Sequence, residues 1–299
     1  MSIDKNLITE SIKENRPKLS NSSIKTYVSL LYNLAKRLNL SDINDLNTKE
    51  KDIIKDIEDM KSTQSQKTLL SGLFIITKNE KYKSKMMVFI KETNDKYKTQ
   101  KVSEKRKDSY VTKEQIQTVY EQTQLKLKKV PNIDNYVNFL IVGLMSGIFI
   151  PPRRLEYASV KIRNYNKDTD NFLDMKKKII GFNKYKTVNT HGFQSIDIPK
   201  EIIPTLKKFL KLNETDYLLI KNNGKPLNAS DLSKRIGSIF GDDAIGVDVL
   251  RSVYISHLYK DVPALNKLED VANKMGHSVS SAMNFYNKLD IKGKKIDVV

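Results

Sequence analysis

The chain has 299 residues, room for two ordinary domains, and 39% hydrophobic against 29% charged residues supply cores and exclude wholesale disorder. Lys and Arg number 53 against 35 Asp and Glu, a formal charge of +18 whose field attracts polyanions and puts nucleic acid first among expected partners. There is no cysteine, which excludes disulfides, thiol catalysis and Cys-ligated zinc, and His191, His257 and His277 make no i,i+4 metal pair.

Residues 1–98 read as a small all-helical domain. Behind the cap-prone run Ser20–Ser23, apolar residues recur at helical spacing in Ile24, Tyr27, Val28, Leu31, Leu34, Ala35 and Leu38. Ile53, Ile57 and Met60, then Leu69, Leu70, Leu73, Phe74 and Ile76, mark further helices. The N-terminal residues have no apolar segment behind a basic start, so no secretory signal is expected and an intracellular location is. Residues 99–108 read as a linker, within a stretch rich in Lys and Arg and nearly free of apolar residues. Such a segment serves either as a solvated connector or as a basic strap on phosphates.

Residues 109–299 read as a second domain. Thr112-Lys-Glu-Gln115 has the spacing of a capping box. The uncharged run Tyr136–Pro152 predicts a buried helix over 136–150, short of the ~20 apolar residues a membrane span needs. A turn at 164–170 and the runs 172–175, 178–180 and 195–198 predict a small antiparallel sheet. After a turn at 222–224, helices are expected at 232–240, 247–260, 267–275 and 280–289. The expected fold class is mainly α with a small antiparallel β-sheet, an α+β second domain.

Most devices for attacking a phosphodiester are missing. No Gly-x-x-x-x-Gly-Lys-Ser/Thr loop occurs, and in Gly143-Leu-Met-Ser-Gly147 the serine falls one place too late for a nucleophile elbow. What stands out is a series of basic residues beside structural breaks, ending in one tyrosine. Arg153 sits in Pro151-Pro-Arg-Arg-Leu-Glu156 at an expected helix start, where N–H groups and a guanidinium can converge on phosphate. Lys186 lies in the hairpin segment Asn183-Lys-Tyr-Lys-Thr187, and Arg251 in Val247-Asp-Val-Leu-Arg-Ser-Val-Tyr254. His277 stands in Met275-Gly-His-Ser278, and Tyr286 follows it by nine residues. Singly, such residues are surface charges or packing aromatics. It is their order in one basic chain that points to a site.

This ordered set resembles the tyrosine recombinases, or phage integrases, which are related to type IB topoisomerases. That family carries an Arg in Arg-x-x-Glu/Asp, a hairpin Lys, a His-x-x-Arg box, a Gly-His/Trp motif and a Tyr about nine residues on. Arg153 with Glu156, Lys186, Arg251, Gly276-His277 and Tyr286 match in order over about 108–290. The N-terminal part resembles the family's helical core-binding domain. The Pro-Pro-Arg-Arg run resembles integrases of viruses and mobile elements. The resemblance implies that Tyr286 attacks the scissile phosphorus and forms a 3′-phosphotyrosyl intermediate. Arg153, Arg251 and His277 would then stabilise the transition state, and Lys186 would protonate the leaving 5′ oxygen. It implies no metal, cofactor or ATP, and as partners double-stranded DNA with specific recombination sites and a homotetramer assembled on it. One residue departs from the pattern: Asp248 stands where the family has the box histidine, and a carboxylate can orient Arg251 but cannot donate as an imidazolium does. Lys184, two residues from Lys186 and on the same side of a strand, competes for the acid role. A type IB topoisomerase and a non-catalytic DNA-binding protein of the same fold are the rival readings.

Overall fold

The computed structural model describes residues 3–101, 109–276, 278–281 and 283. Most of the basic linker, His277, Tyr286 and the chain beyond it lie outside the described residues. The described chain forms two compact units, one made of residues up to Lys101 together with those from Pro263 onward, the other running from Ser109 to Val262. Most of it is helical, with one small sheet in the second unit.

The first unit starts with α1 (Lys5–Asn15), α2 (Asn21–Arg37), α3 (Asp45–Thr48), α4 (Glu50–Glu58), α5 (Thr63–Thr77) and α6 (Glu80–Lys98). Side-chain oxygens start three of these helices: Ser20 accepts from the Ser23 N–H, Ser62 from that of Ser65 and Asn79 from that of Lys81. The periodic residues expected from the sequence, among them Leu31, Leu34, Ile53, Ile57, Leu69 and Leu73, form the core. Gly72 lets α5 approach α2, since a Cβ there would stand 3.2 Å from the Tyr27 ring and 3.3 Å from Leu31.

In the second unit, α7 (Lys113–Lys129) opens with the expected capping box, Thr112 and Gln115 each bonding the other's backbone N–H. Helix α8 (Ile133–Met145) is buried along almost its whole length. It stops five residues short of the expected Ile150, because Gly147 takes φ +89° and the chain turns toward Pro151 and Pro152. Arg153 precedes only a short 3₁₀ helix, Leu155–Ser159, rather than a full α-helical N-terminus.

The sheet has four strands in the order β1 (Val160–Lys161), β2 (Asn171–Asp174), β3 (Ile179–Phe182) and β4 (Gln194–Asp197). It is mixed rather than purely antiparallel. β1 lies parallel to β2, while β2, β3 and β4 are antiparallel, with Phe172 opposite Gly181, Ile180 opposite Ile196 and Phe182 opposite Gln194. After the short α9 (Val188–His191) and strand β4 come α10 (Ile203–Leu212), α11 (Ala229–Phe240) and α12 (Val247–Leu258). The core joins α8, the sheet and these helices through Phe139, Leu140, Tyr157, Ile180, Phe182, Leu206, Phe209, Ile236 and Leu250. The described residues from Pro263 onward form α13 (Leu265–Lys274) and α14 (Val279–Ser281). In the first unit, the Leu265 N–H donates to Gln100 Oε1 at 2.8 Å, and Lys98 pairs with Glu269 at 3.2 Å. No described helix is long and apolar enough to cross a membrane.

Candidate active site

Among the expected site residues that the structure describes, Arg153 is the most elaborately held. Alternation along β4 turns Gln194 and Ile196 inward and leaves Ser195 and Asp197 exposed. Because Gln194 is the cross-strand partner of Phe182, sheet register brings both beneath one guanidinium. Arg153 Nη1 donates to Gln194 Oε1 at 2.8 Å, and its Cζ lies 4.3 Å from the Phe182 ring centre and 5.1 Å from that of Tyr185. Nη2 donates to Glu156 Oε1 at 3.3 Å, which gives the i,i+3 pairing its structural purpose. Arg153 Nε and the Tyr157 hydroxyl are buried without a partner among the described residues. Burial pushes the Tyr157 phenol well above its ordinary pKa, so it stays neutral beside the guanidinium.

Lys186 occupies the segment between β3 and β4, in an exposed turn just before α9. Tyr185 spans this segment, its hydroxyl donating to the Gly192 carbonyl at 2.6 Å. The two candidate lysines have different surroundings. Lys184 Nζ is taken by Asp170 at 2.8 Å, whereas no hydrogen bond or ion pair engages the Lys186 ammonium among the described residues. Asp170 also accepts from Lys161 at 2.9 Å and from the Asn166 N–H. These bonds, Lys184 foremost, hold its carboxyl well below the usual carboxylate range, and that keeps Lys184 anchored to a fixed anion.

Arg251 projects from the second turn of α12 and is part-exposed. Asp248 lies beside it with Oδ1 3.6 Å from Nη1, close enough for charge attraction and too far for a hydrogen bond. Tyr254, one turn on, packs against the turn that leads to Arg153: a Cβ on Gly147 would meet the Tyr254 ring at 3.0 Å and Pro152 at 3.4 Å. His257 faces elsewhere, its Nε2 3.1 Å from Lys113 Nζ.

The structure thus ties Arg153 to the loop of Lys186, and the helix of Arg251 to the turn preceding Arg153. His277 and Tyr286 lie outside the described residues. Four residues given no role in the sequence reading shape this region: Phe182, Tyr185 and Gln194 around Arg153, and Asn171 at the root of the loop. Two of them had a visible signal: Tyr185 adjoins Lys186 in the hairpin segment, and Gln194 precedes the alternating Ser195–Ile198 run by one place.

No protein-family model matches the sequence, and no curated protein matches it. Among solved structures, the chain is similar to the XerA recombinase, with a TM-score of 0.35 and 14% identity over 95% of both chains. It is also similar to the XerH site-specific recombinase bound to its difH substrate in a pre-cleavage complex, with a TM-score of 0.46 and 16% identity over 94% of this chain and 81% of that one.

Proposed function

We propose that the chain is a tyrosine site-specific recombinase that cuts and rejoins double-stranded DNA through a 3′-phosphotyrosyl intermediate. The observation that carries this reading is the seat of Arg153. A guanidinium held by Gln194 and Glu156 over the Phe182 ring stands at the end of a loop in which Lys186, unlike Lys184, is uncommitted among the described residues, in a chain of net charge +18. Its remaining N–H groups suit phosphate oxygens, and Lys186 has the reach and freedom to meet a leaving group.

In the proposed reaction the Tyr286 oxygen bonds to the scissile phosphorus while the bond to O5′ breaks. The phenol loses its proton to water in the attack, and Lys186 gives a proton to the departing 5′ oxygen. Arg153 and Arg251 neutralise the non-bridging oxygens, and His277 donates a further hydrogen bond. Rejoining is the reverse, with a 5′ hydroxyl attacking the phosphotyrosyl bond. Asp248 contributes by keeping negative charge beside Arg251 and takes no part as a donor. This reading makes 109–299 the catalytic domain and 1–98 a core-binding domain, with a homotetramer forming on paired specific sites. The narrower assignment to integrases of viruses or mobile elements rests on the Pro151–Glu156 sequence alone.

A nicked suicide substrate tests the proposal, because loss of the short cleaved fragment traps the covalent protein–DNA adduct. The wild type is expected to form it, and Tyr286→Phe, lacking only the hydroxyl, is expected to bind DNA and form none. An adduct at the wild-type level in Tyr286→Phe would sink the assignment.

A further inference from the structure

We infer that Asn171 is a positioning residue that sets the reach of Lys186, an inference that rests on the general-acid role proposed above for that lysine. Asn171, the first residue of β2, is only 1% exposed, and its amide is fully used. On one side, Nδ2 donates to Ser159 Oγ at 2.8 Å and, at 3.3 Å, to the Glu156 carbonyl, both in the 3₁₀ helix that follows Arg153. On the other, Nδ2 donates to the Lys184 carbonyl at 2.9 Å, while Oδ1 accepts the N–H groups of Asn183 at 2.8 Å and Lys184 at 2.7 Å.

The β3–β4 ladder ends at the pair Phe182 and Gln194, so the backbone beyond Phe182 has no strand partner in β4. A backbone donor turned in against the sheet end needs one, and here a single buried side chain supplies it for two consecutive residues. Asn171 therefore takes over from the ladder where the chain leaves the sheet, two residues before Lys186. The same amide grips the segment after Arg153, so one group fixes the separation between the arginine that would hold the phosphate and the loop that would protonate its leaving oxygen. Neighbouring bonds brace the outer wall: Asn183 Nδ2 donates to the carbonyls of Lys167 and Asp170, each at 2.8 Å. The far end of the loop is tied separately, by Gln194 to Arg153. Removing Asn171 should leave the arginine seat largely in place and free the lysine side of the loop.

The test uses the full chain and a nicked duplex of the sequence at which the wild type forms its adduct. A misplacement of about 1 Å costs on the order of 10²-fold in rate, and Asn171→Ala is expected to lose adduct formation on that scale while keeping its circular dichroism and DNA binding. The decisive substrate has sulfur in place of the bridging 5′ oxygen, since a thiolate leaves without a proton. On it, Lys186→Ala and Asn171→Ala should both return to within about threefold of the wild type. Rescue of Lys186→Ala but not of Asn171→Ala would overturn the positioning role and leave the lysine assignment standing. Failure to rescue Lys186→Ala, with the wild type active, would remove the general-acid reading and this inference with it. Wild-type cleavage by Asn171→Ala on ordinary DNA would also overturn it. Should Asn171→Ala not fold, Asn171→Asp keeps the shape and the two accepted bonds, loses the amide donors, and is read on the same pair of substrates.

Discussion

Arg153 and Arg251 have the same proposed role in very different settings, so replacing each by lysine separates stability from catalysis. The Arg153 side chain is 17% exposed and its partner Glu156 11% exposed, whereas Arg251 is 39% and Asp248 69% exposed. Lysine at 153 keeps the charge but cannot reach Gln194 and Glu156 together with a planar fork, nor stack on Phe182. A hydrogen bond to a charged group is worth about 1.5–3 kcal/mol and a cation–π contact about 0.5–1 kcal/mol, so Arg153→Lys should destabilise the fold by about 2–4 kcal/mol. Exposed ion pairs contribute at most about 1 kcal/mol, and Arg251→Lys, which keeps the charge beside Asp248, should cost less than about 0.5 kcal/mol. Cleavage behaves differently: each variant loses a bidentate donor to the transition state, expected to cost ~10²–10³ in rate. Urea unfolding followed by circular dichroism gives the first quantity, and single-turnover adduct formation on a nicked substrate the second. Equal destabilisation by the two variants would refute the structural contrast. Cleavage by either within about twofold of the wild type would refute its transition-state role.

Two further substitutions probe the framework. Gly147→Ala places a side chain at φ +89° and a Cβ 3.0 Å from the Tyr254 ring, and should cost about 1–3 kcal/mol. A urea midpoint unchanged from the wild type would show that this turn relaxes freely. Asp170→Asn removes a carboxylate whose pKa is depressed by Lys184 and Lys161, so its stabilisation is present above the unfolded-state value of about 3.9 and is lost as pH falls toward the folded value. The stability gap between wild type and Asp170→Asn should therefore be steady at neutral pH and narrow below about pH 4; a urea series in which it stays constant down to about pH 2 would contradict this.

What the sequence made legible follows from how local each cause is. The start of α7 was readable because a capping box is a contract between Thr112 and Gln115, three residues apart. The helices of the first unit were readable because burial at 3.6-residue spacing needs only one apolar neighbour surface. The end of α8 was not, since apolar residues continue to Ile150 and the stop is set by a backbone conformation at Gly147, packed closely against Tyr254 far along the chain. Strand β1 was invisible for a related reason. It is two residues long and exists through parallel pairing with β2 on one side and, on the other, through the segment 216–218, where Lys161 bridges Tyr217 and the Leu218 N–H donates to the Val160 carbonyl. Helix α10 was legible in Ile203, Leu206, Phe209 and Leu210 but was not anticipated; Pro204 fits its first turn, where the missing N–H costs nothing.

The candidate site divides along the same line. Residue types that chemistry demands, such as Arg153 with Glu156, are recognisable by kind and spacing. The residues that aim them are chosen by sheet register and are not. Phe182 and Gln194 meet under Arg153 only because β3 and β4 pair in one register, and a slip of one residue would send Gln194 to the opposite face. The choice between Lys184 and Lys186 shows the same thing at the scale of one side chain. Sequence gives both the same charge and the same side of a strand; the difference comes from Asp170, fourteen residues before Lys184, which engages one ammonium and leaves the other to the loop tip. Lys184 Nζ, bonded to Asp170 at 2.8 Å, is tethered at the root of the loop and turned toward that carboxylate, whereas Lys186 stands at the exposed tip with its ammonium uncommitted among the described residues. On that ground Lys184→Ala should leave acid catalysis intact, because Asn171 holds the root of the loop through the Lys184 backbone and not through its side chain, while Lys186→Ala should abolish it. The bridging-sulfur substrate, which rescues only the loss of a proton donor, decides between them, and selective rescue of Lys184→Ala would move the role two residues upstream.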